Sequence, residues 1–305
     1  MLKFLRPFLM LCSRVLPLKL QRALDQRLRA ASEVEKLRDS TIVVVSFPKS
    51  GRTWMRALLS YLLQDALGLQ TDKLLGNRNY NKLDARAPVV FFTHDNYPRR
   101  VYGDARLNAL YGARKVVLLV RDPRDVEVST FFHVSHRLDP VKKKVYELGA
   151  SGREEDCYDF LMERFAGERN ALSFLNQWAG IAAAQGNVVV VRYEDLKADT
   201  EGELRRVCDF IGFEAGDASL RAAAERASFS SMKSGEREGS FSHQDSRFGN
   251  RGRDSADAFK VRRGKVGGYR DYMTPDQAEE IDAMIDNRLA RGFGYRRDEA
   301  KSLAG

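Results

Sequence analysis

The sequence predicts a doubly wound α/β fold built on one mostly parallel sheet, and three observations carry that expectation. Four short runs, 42–46, 88–94, 115–120 and 187–192, are continuously apolar rather than alternating, as strands covered on both faces must be. Helical patterns alternate with them, over about 53–67, 125–138, 159–184 and 201–211, with a last helix that opens at Thr274-Pro-Asp-Gln277 and ends before Gly292. The first run passes through a tight turn straight into a helix, the local arrangement that binds phosphate.

That first unit reads Ile42-Val-Val-Val-Ser-Phe-Pro-Lys-Ser-Gly-Arg-Thr-Trp54. Pro48 and Gly51 shape the turn, and the chain enters the helix near Thr53, with Gly68 as its stop. Amide groups at a helix start lack intrahelical partners and attract anions. Lys49 adds a positive charge at the loop crest, and Ser50 and Thr53 add hydroxyl donors. The loop is not a Walker A sequence, because Lys49 precedes Gly51 instead of following the second glycine.

Elsewhere the chain divides into an amphipathic basic segment (1–38), one domain (39–297) and a polar tail (298–305). In the first segment Leu5, Phe8, Leu9, Cys12 and Leu16 fall on one helical face and Lys3, Arg6 and Arg14 opposite. Its longest uncharged run, 7–13, is far too short to span a bilayer, and arginine interrupts any signal-peptide core. Two readings stay open: peripheral contact of residues 1–30 with anionic lipid, or a helix docked on the domain. Residues 234–258 are rich in glycine, serine and alternating charge and read as a long mobile loop. The capping boxes Thr200-Glu-Gly-Glu203 and Thr274-Pro-Asp-Gln277 open two of the helices.

Composition narrows the function. A chain of 305 residues, 43% hydrophobic, buries a substantial core. Its formal net charge of +9 suits an anionic ligand, an acidic substrate or a membrane surface. Nucleic acid is not expected, since no basic run, zinc-finger spacing or RRM-like aromatic motif accompanies the charge. Cys12, Cys157 and Cys208 form no metal-type pair, which favours a reducing, cytoplasmic setting. His133 and His136 make only a weak i,i+3 metal hint. Lys49, His94, Arg121 and Tyr193 all stand at or just past strand carboxyl ends, where ligands of such sheets bind.

Further motifs follow in order. Arg121-Asp-Pro-Arg-Asp-Val-Glu-Val-Ser129 pairs an arginine fork with a hydroxyl, a good phosphate clamp. Together with Ser46-Phe-Pro-Lys-Ser-Gly-Arg-Thr-Trp54, Val190-Val-Arg-Tyr-Glu-Asp-Leu196, Ala227-Ser-Phe-Ser-Ser-Met-Lys233 and Arg262-Arg-Gly-Lys-Val-Gly-Gly-Tyr269, it resembles the cytosolic-type sulfotransferase family over about residues 40–295. The resemblance implies 3′-phosphoadenosine 5′-phosphosulfate (PAPS) as co-substrate, with no metal. It implies that Lys49, Ser50, Gly51, Arg52, Thr53 and Trp54 meet the 5′-phosphosulfate and base. Arg121, Ser129, Arg262, Arg263 and Gly264 would meet the 3′-phosphate, and Tyr193, Ser228 and Phe229 the adenosine, with Phe229 opposite Trp54.

His94, in Phe92-Thr-His-Asp95, matches the family's catalytic histidine, and imidazole suits proton abstraction near neutral pH. Lys49 would stabilise the leaving phosphate. Departures are Arg52 for the family's usual threonine, Gly268-Tyr269 for Asp-Trp, and Phe92 where many members carry lysine. The implied reaction transfers a sulfuryl group to a hydroxyl acceptor: small molecule, lipid or carbohydrate. Alternatives are a P-loop-like nucleotide kinase, or a non-catalytic nucleotide-binding scaffold at a membrane surface. A dimer through the family's short C-terminal motif is not expected, because Pro275 replaces its valine between Arg270, Thr274 and Glu279.

Overall fold

Alternate residues of the strands serve two separate cores. Ile42 and Val44, with Val117 and Leu119, face one; Val43 and Val45, with Val116, Leu118 and Val120, face the other. Burial on both sides is why these runs carry no polar alternation. The computed structural model describes residues 17–76, 79–136, 156–238 and 263–299. Its strands are Ile42–Ser46 (β1), Val90–Thr93 (β2), Lys115–Val120 (β3) and Val188–Arg192 (β4), all parallel in the order β2-β1-β3-β4.

The helices are Leu18–Asp39 (α1), Arg52–Ala66 (α2), Tyr97–Tyr102 (α3), Asp104–Gly112 (α4), Pro123–His136 (α5), Cys157–Ala166 (α6) and Ala171–Ala184 (α7). Beyond β4 follow Tyr193–Ala198 (α8), Thr200–Ile211 (α9), Asp217–Arg226 (α10), Phe229–Arg237 (α11) and Pro275–Arg288 (α12). Helices α2, α9 and α10 cover one face of the sheet, and α4 to α7 with α12 cover the other. The chain leaves β1 toward β2 and later crosses over β1 to reach β3. The sheet therefore reverses direction between β1 and β3, the crevice where such folds bind ligands.

Several expectations change in detail. The helix expected over 159–184 is two, α6 and α7, broken at Gly167. Asn170 restarts the second: its side-chain oxygen accepts from the Ser173 amide at 2.8 Å, and its Nδ2 donates to the Gly167 carbonyl at 2.6 Å. The box at Thr200 does not form. Asp199 caps α9 by accepting from the Gly202 amide at 2.8 Å, while the Thr200 hydroxyl donates back to the Leu196 carbonyl. A carboxylate is the stronger acceptor at a helix start, so it takes the cap. The box at Thr274 is complete, with Pro275 at the first helical position.

The polar stretch 71–86 sends Leu74, Leu75 and Tyr80 fully into the core. Ser60 Oγ accepts from the Leu75 amide at 2.9 Å, and Gln64 donates to the Tyr80 hydroxyl at 2.8 Å. Residues 234–237, expected in a mobile loop, are the last turn of α11; residues 239–262 lie outside the described residues. Ala30, Val34 and Leu37 of α1 are buried against the domain, and α1 packs along α3. Leu5, Phe8, Leu9, Cys12 and Leu16 lie outside the described residues. Among the described residues no helix is long and apolar enough to cross a membrane.

A buried ionic cluster joins the C-terminal segment to the end of β3. Arg124, 7% exposed, donates to Asp122 from Nε at 2.8 Å and from Nη2 at 2.7 Å, and also to Asp282 of α12 and the Tyr295 carbonyl. Replacing Arg124 by alanine leaves the buried Asp122 carboxylate without its counter-charge and Asp282 with Arg270 alone, a loss of about 3–5 kcal/mol expected for a broken buried pair. Equilibrium urea unfolding of Arg124→Ala should show a fall of that size.

Candidate nucleotide-binding and transfer site

The turn after β1 takes two left-handed residues, Lys49 (φ 73°) and Gly51 (φ 95°), with Ser50, 2% exposed, between them. Left-handed residues of this kind shape anion-binding turns; here the Ser50 amide donates to the Phe47 carbonyl at 3.3 Å and closes the turn. Helix α2 begins at Arg52 with no side-chain cap and no acidic residue in its first turn. A helix start of this kind, with its dipole's positive end toward the loop, favours a bound anion. Glycine is required at 51 on two counts: its positive φ, and a Cβ there would lie 2.8 Å from Cδ2 of Tyr193.

Tyr193, 8% exposed at the start of α8, is the floor of this turn. The Trp54 ring meets it edge-on at 5.5 Å, and the Arg121 guanidinium stacks over it at 4.4 Å. Arg121 leaves β3 across the crevice from the β1 loop and donates to the Lys49 carbonyl at 3.4 Å and the Lys265 carbonyl at 3.2 Å. Its Nη2 also reaches Asp125 Oδ2 at 3.4 Å, while its Nε is buried with no hydrogen-bond partner among the described residues. An orphaned guanidinium donor between two loops fits a bound phosphate oxygen.

The other expected residues gather around this centre. Trp54 Nε1 donates to the Ala227 carbonyl at 2.8 Å, tying α2 to the segment that carries Ser228 and Phe229. Ser228 caps α11 by accepting from the Ser231 amide, and Phe229 is 38% exposed. The Phe229 ring packs on Gly264 (φ 57°), where a Cβ would come within 2.5 Å of it. Lys197 of α8 donates to the Gly264 carbonyl. Ser129 sits half-buried on α5, one turn beyond Asp125 on the same side. Arg263 turns toward Asp271, at 2.7 Å, and the Tyr272 hydroxyl, at 2.9 Å. Arg262 lies outside the described residues.

His94 follows β2 directly, beside β1, and its Nδ1 lies 2.7 Å from the Ser46 carbonyl oxygen. A carbonyl can only accept, so Nδ1 carries the proton and the lone pair of the neutral ring is on Nε2. Burial, then the charge of Arg52 and to a lesser degree Arg56, push the imidazole well below its ordinary pKa of 6.5; the Ser46 contact opposes them. The ring is therefore neutral at physiological pH.

Sequence reading passed over three groups here. Glu33 of α1 accepts from the Thr93 hydroxyl at 2.7 Å, next to His94, and burial raises its carboxyl pKa. Thr93 in turn accepts from the Asp95 amide, and Asp95 binds Arg99 at 2.5 Å, burial raising its own pKa to about 6. Asp125 and Lys197 hold the 264–269 loop. Only Asp125, acidic in a first helical turn, left any local signal. Among the described residues no group of three or more histidine, cysteine, aspartate or glutamate side chains could hold a metal.

This arrangement, two phosphate-type loops facing across the reversal point of a parallel sheet with an imidazole beside them, defines a nucleotide-dependent group-transfer fold. The family model described as Sulfotransferase domain matches residues 39–293, and the chain belongs to that family. Mouse sulfotransferase 2B1 is 25% identical over 220 residues, 68% of this chain and 60% of the relative's length. Human sulfotransferase 2A1 is 23% identical over 281 residues, 87% of this chain and 90% of that protein. Cytosolic sulfotransferase 3 of Arabidopsis thaliana is 25% identical over 275 residues, 83% and 78%. Among solved structures, mouse sulfotransferase SULT7A1 complexed with PAP superposes with a TM-score of 0.60 at 20% identity, covering 88% of this chain and 90% of that one. Retinol dehydratase with androsterone and the inactive cofactor PAP gives 0.58 at 18%, covering 86% and 87%.

Gly51→Ala should weaken nucleotide binding without unfolding the chain. Left-handed backbone at alanine costs about 1–2 kcal/mol, and the methyl must also displace Tyr193 or the loop. Calorimetry with adenosine 3′,5′-bisphosphate, set beside the melting temperature, measures this.

Proposed function

We propose that this chain transfers the sulfuryl group of PAPS to an acceptor hydroxyl. The observation that carries the reading is His94, whose Nδ1–H is committed to the Ser46 carbonyl so that Nε2 alone can accept a proton. The β1 loop, the unpartnered Arg121 Nε and Ser129 would hold the two phosphates of the donor, and the donor supplies the activated sulfuryl group. His94 Nε2 takes the acceptor's hydroxyl proton as the oxygen attacks sulfur in line. Lys49, Ser50 and the loop amides stabilise the charge that grows on the departing 5′-phosphate. The acceptor is a hydroxyl compound. A nucleotide kinase is not favoured, since Lys49 stands before Gly51 and not after it.

The direct test is incubation with labelled PAPS, or with labelled ATP, and a panel of phenol, lipid and carbohydrate hydroxyl acceptors; label moving only from PAPS is the expected result. Adenosine 3′,5′-bisphosphate should also bind about tenfold to a hundredfold more tightly than adenosine monophosphate, the value of one charged hydrogen-bond partner. Equal affinities by calorimetry would contradict the assignment.

His94→Ala should lower single-turnover transfer on the order of 100-fold or more while nucleotide affinity stays near wild type. In the wild type the acid limb of kcat/KM should lie below pH 6.5, because the folded ring has the depressed pKa and transfer is lost only as pH falls through it. A rate profile centred above 6.5 would contradict a neutral, half-buried base.

A further inference from the structure

We propose that Asp125 is the positioning residue that builds the 3′-phosphate side of the site, by holding the 265–269 loop against Arg121. The inference rests on the nucleotide reading above and gives the Asp125 contacts with that loop a task in ligand selection. Asp125 is 3% exposed in the first turn of α5, where the helix dipole favours a carboxylate. Its Oδ2 accepts from the Gly267 amide at 3.0 Å, and its Oδ1 from the Tyr269 amide at 2.9 Å. Its Oδ2 also receives Arg121 Nη2 at 3.4 Å.

The two amides belong to the start of a short 3-10 turn, Gly268–Tyr272, which has no side-chain cap of its own; Gly267 before it is left-handed at φ 66°. Asp125 is therefore a cap supplied from 142 residues away. The same carboxylate bonds the arginine that faces the phosphate, so loop and guanidinium are placed by one group. Arg121 closes the bracket by donating to the Lys265 carbonyl, within the same loop. Asp125 is committed to the loop amides and to Arg121, and acts through Arg121 and the backbone of residues 267–269.

This makes a prediction that a merely stabilising carboxylate does not. Losing Asp125 should erase the preference for a 3′-phosphate and leave binding at the β1 loop intact. Calorimetry on Asp125→Ala and on the near-isosteric Asp125→Asn, with adenosine 3′,5′-bisphosphate and adenosine monophosphate, reads that ratio. Expected is a loss of about tenfold or more for the bisphosphate, with the monophosphate held within about twofold. Folded variants that keep the wild-type ratio would overturn the inference. A wild type that itself shows no preference would instead overturn the nucleotide reading, and this one with it. If neither variant folds, amide exchange of the nucleotide-free wild type decides: protected Gly267 and Tyr269 amides support the cap, and fast exchange there refutes it.

Discussion

The site depends on the burial of Arg124. Its guanidinium sits among Asp122, Asp282 and the Tyr295 carbonyl, over the Tyr269 ring at 4.9 Å. Asp282 in turn accepts from the Tyr269 hydroxyl at 2.7 Å and from Arg270 at 2.6 Å. A buried charge left without its partner is costly, and the partners of this cluster come from α12, the C-terminal segment and the end of β3. The neighbouring carboxylate Glu194 extends it, accepting from the Asp122 amide at 3.0 Å and the Tyr295 hydroxyl at 2.7 Å. Helix α12, the 265–272 loop and the end of β3 are thereby set relative to one another before any ligand is bound. Arg121 and Asp125 flank that cluster in sequence and bond one another.

Sheet topology does the complementary work. Because β1 and β3 are hydrogen-bonded neighbours whose connections depart to opposite sides, the loops after them face each other across one crevice. Arg121 spans it, bonding the Lys49 carbonyl on one side and the Lys265 carbonyl on the other. Tyr193, after β4, fills the space beneath, and its contact with Gly51 explains why nothing larger than glycine fits that turn. A basic, uncapped helix start, a bridging arginine and an aromatic floor come from three different strands and meet only in a parallel sheet.

The proton-accepting side is built on the other neighbour of β1. His94 leaves β2 beside Ser46, the last residue of β1, and this adjacency directs the ring by fixing its tautomer. Thr93 links that strand end to Glu33 of α1 and to Asp95, whose carboxylate lies between Arg99 and the Tyr111 hydroxyl. The residues around His94 thus come from α1, β1, β2 and α2. Removal from water first, then the charges of Arg52 and Arg56 of α2, make protonation of the ring costly, so it is kept as a base.

The sequence by itself determined the four strands, the anion-binding turn, the arginine and serine of the second motif, and a histidine at a strand end. Each of these is a local pattern: consecutive apolar residues, a glycine where φ is positive, a short motif of fixed spacing. Tertiary structure alone decided what those residues touch. Nothing local says that Asp125 caps a turn at Gly267, that Glu33 reaches Thr93, or that Arg263 turns to Asp271. Nor does periodicity reveal the break at Gly167, made where Glu127 of α5 accepts from the Ala171 amide at 2.9 Å, or the burial of Leu74 and Tyr80 in a polar stretch. Asp199 took the cap expected of Thr200 because the helix starts one residue earlier: the Glu203 amide is spent on the Asp199 carbonyl at 3.1 Å, and the Gly202 amide faces the Asp199 carboxylate. The division has a physical cause: backbone preference and amphipathicity act over a few residues, whereas the partners of a buried polar group are chosen by the whole chain once water is excluded.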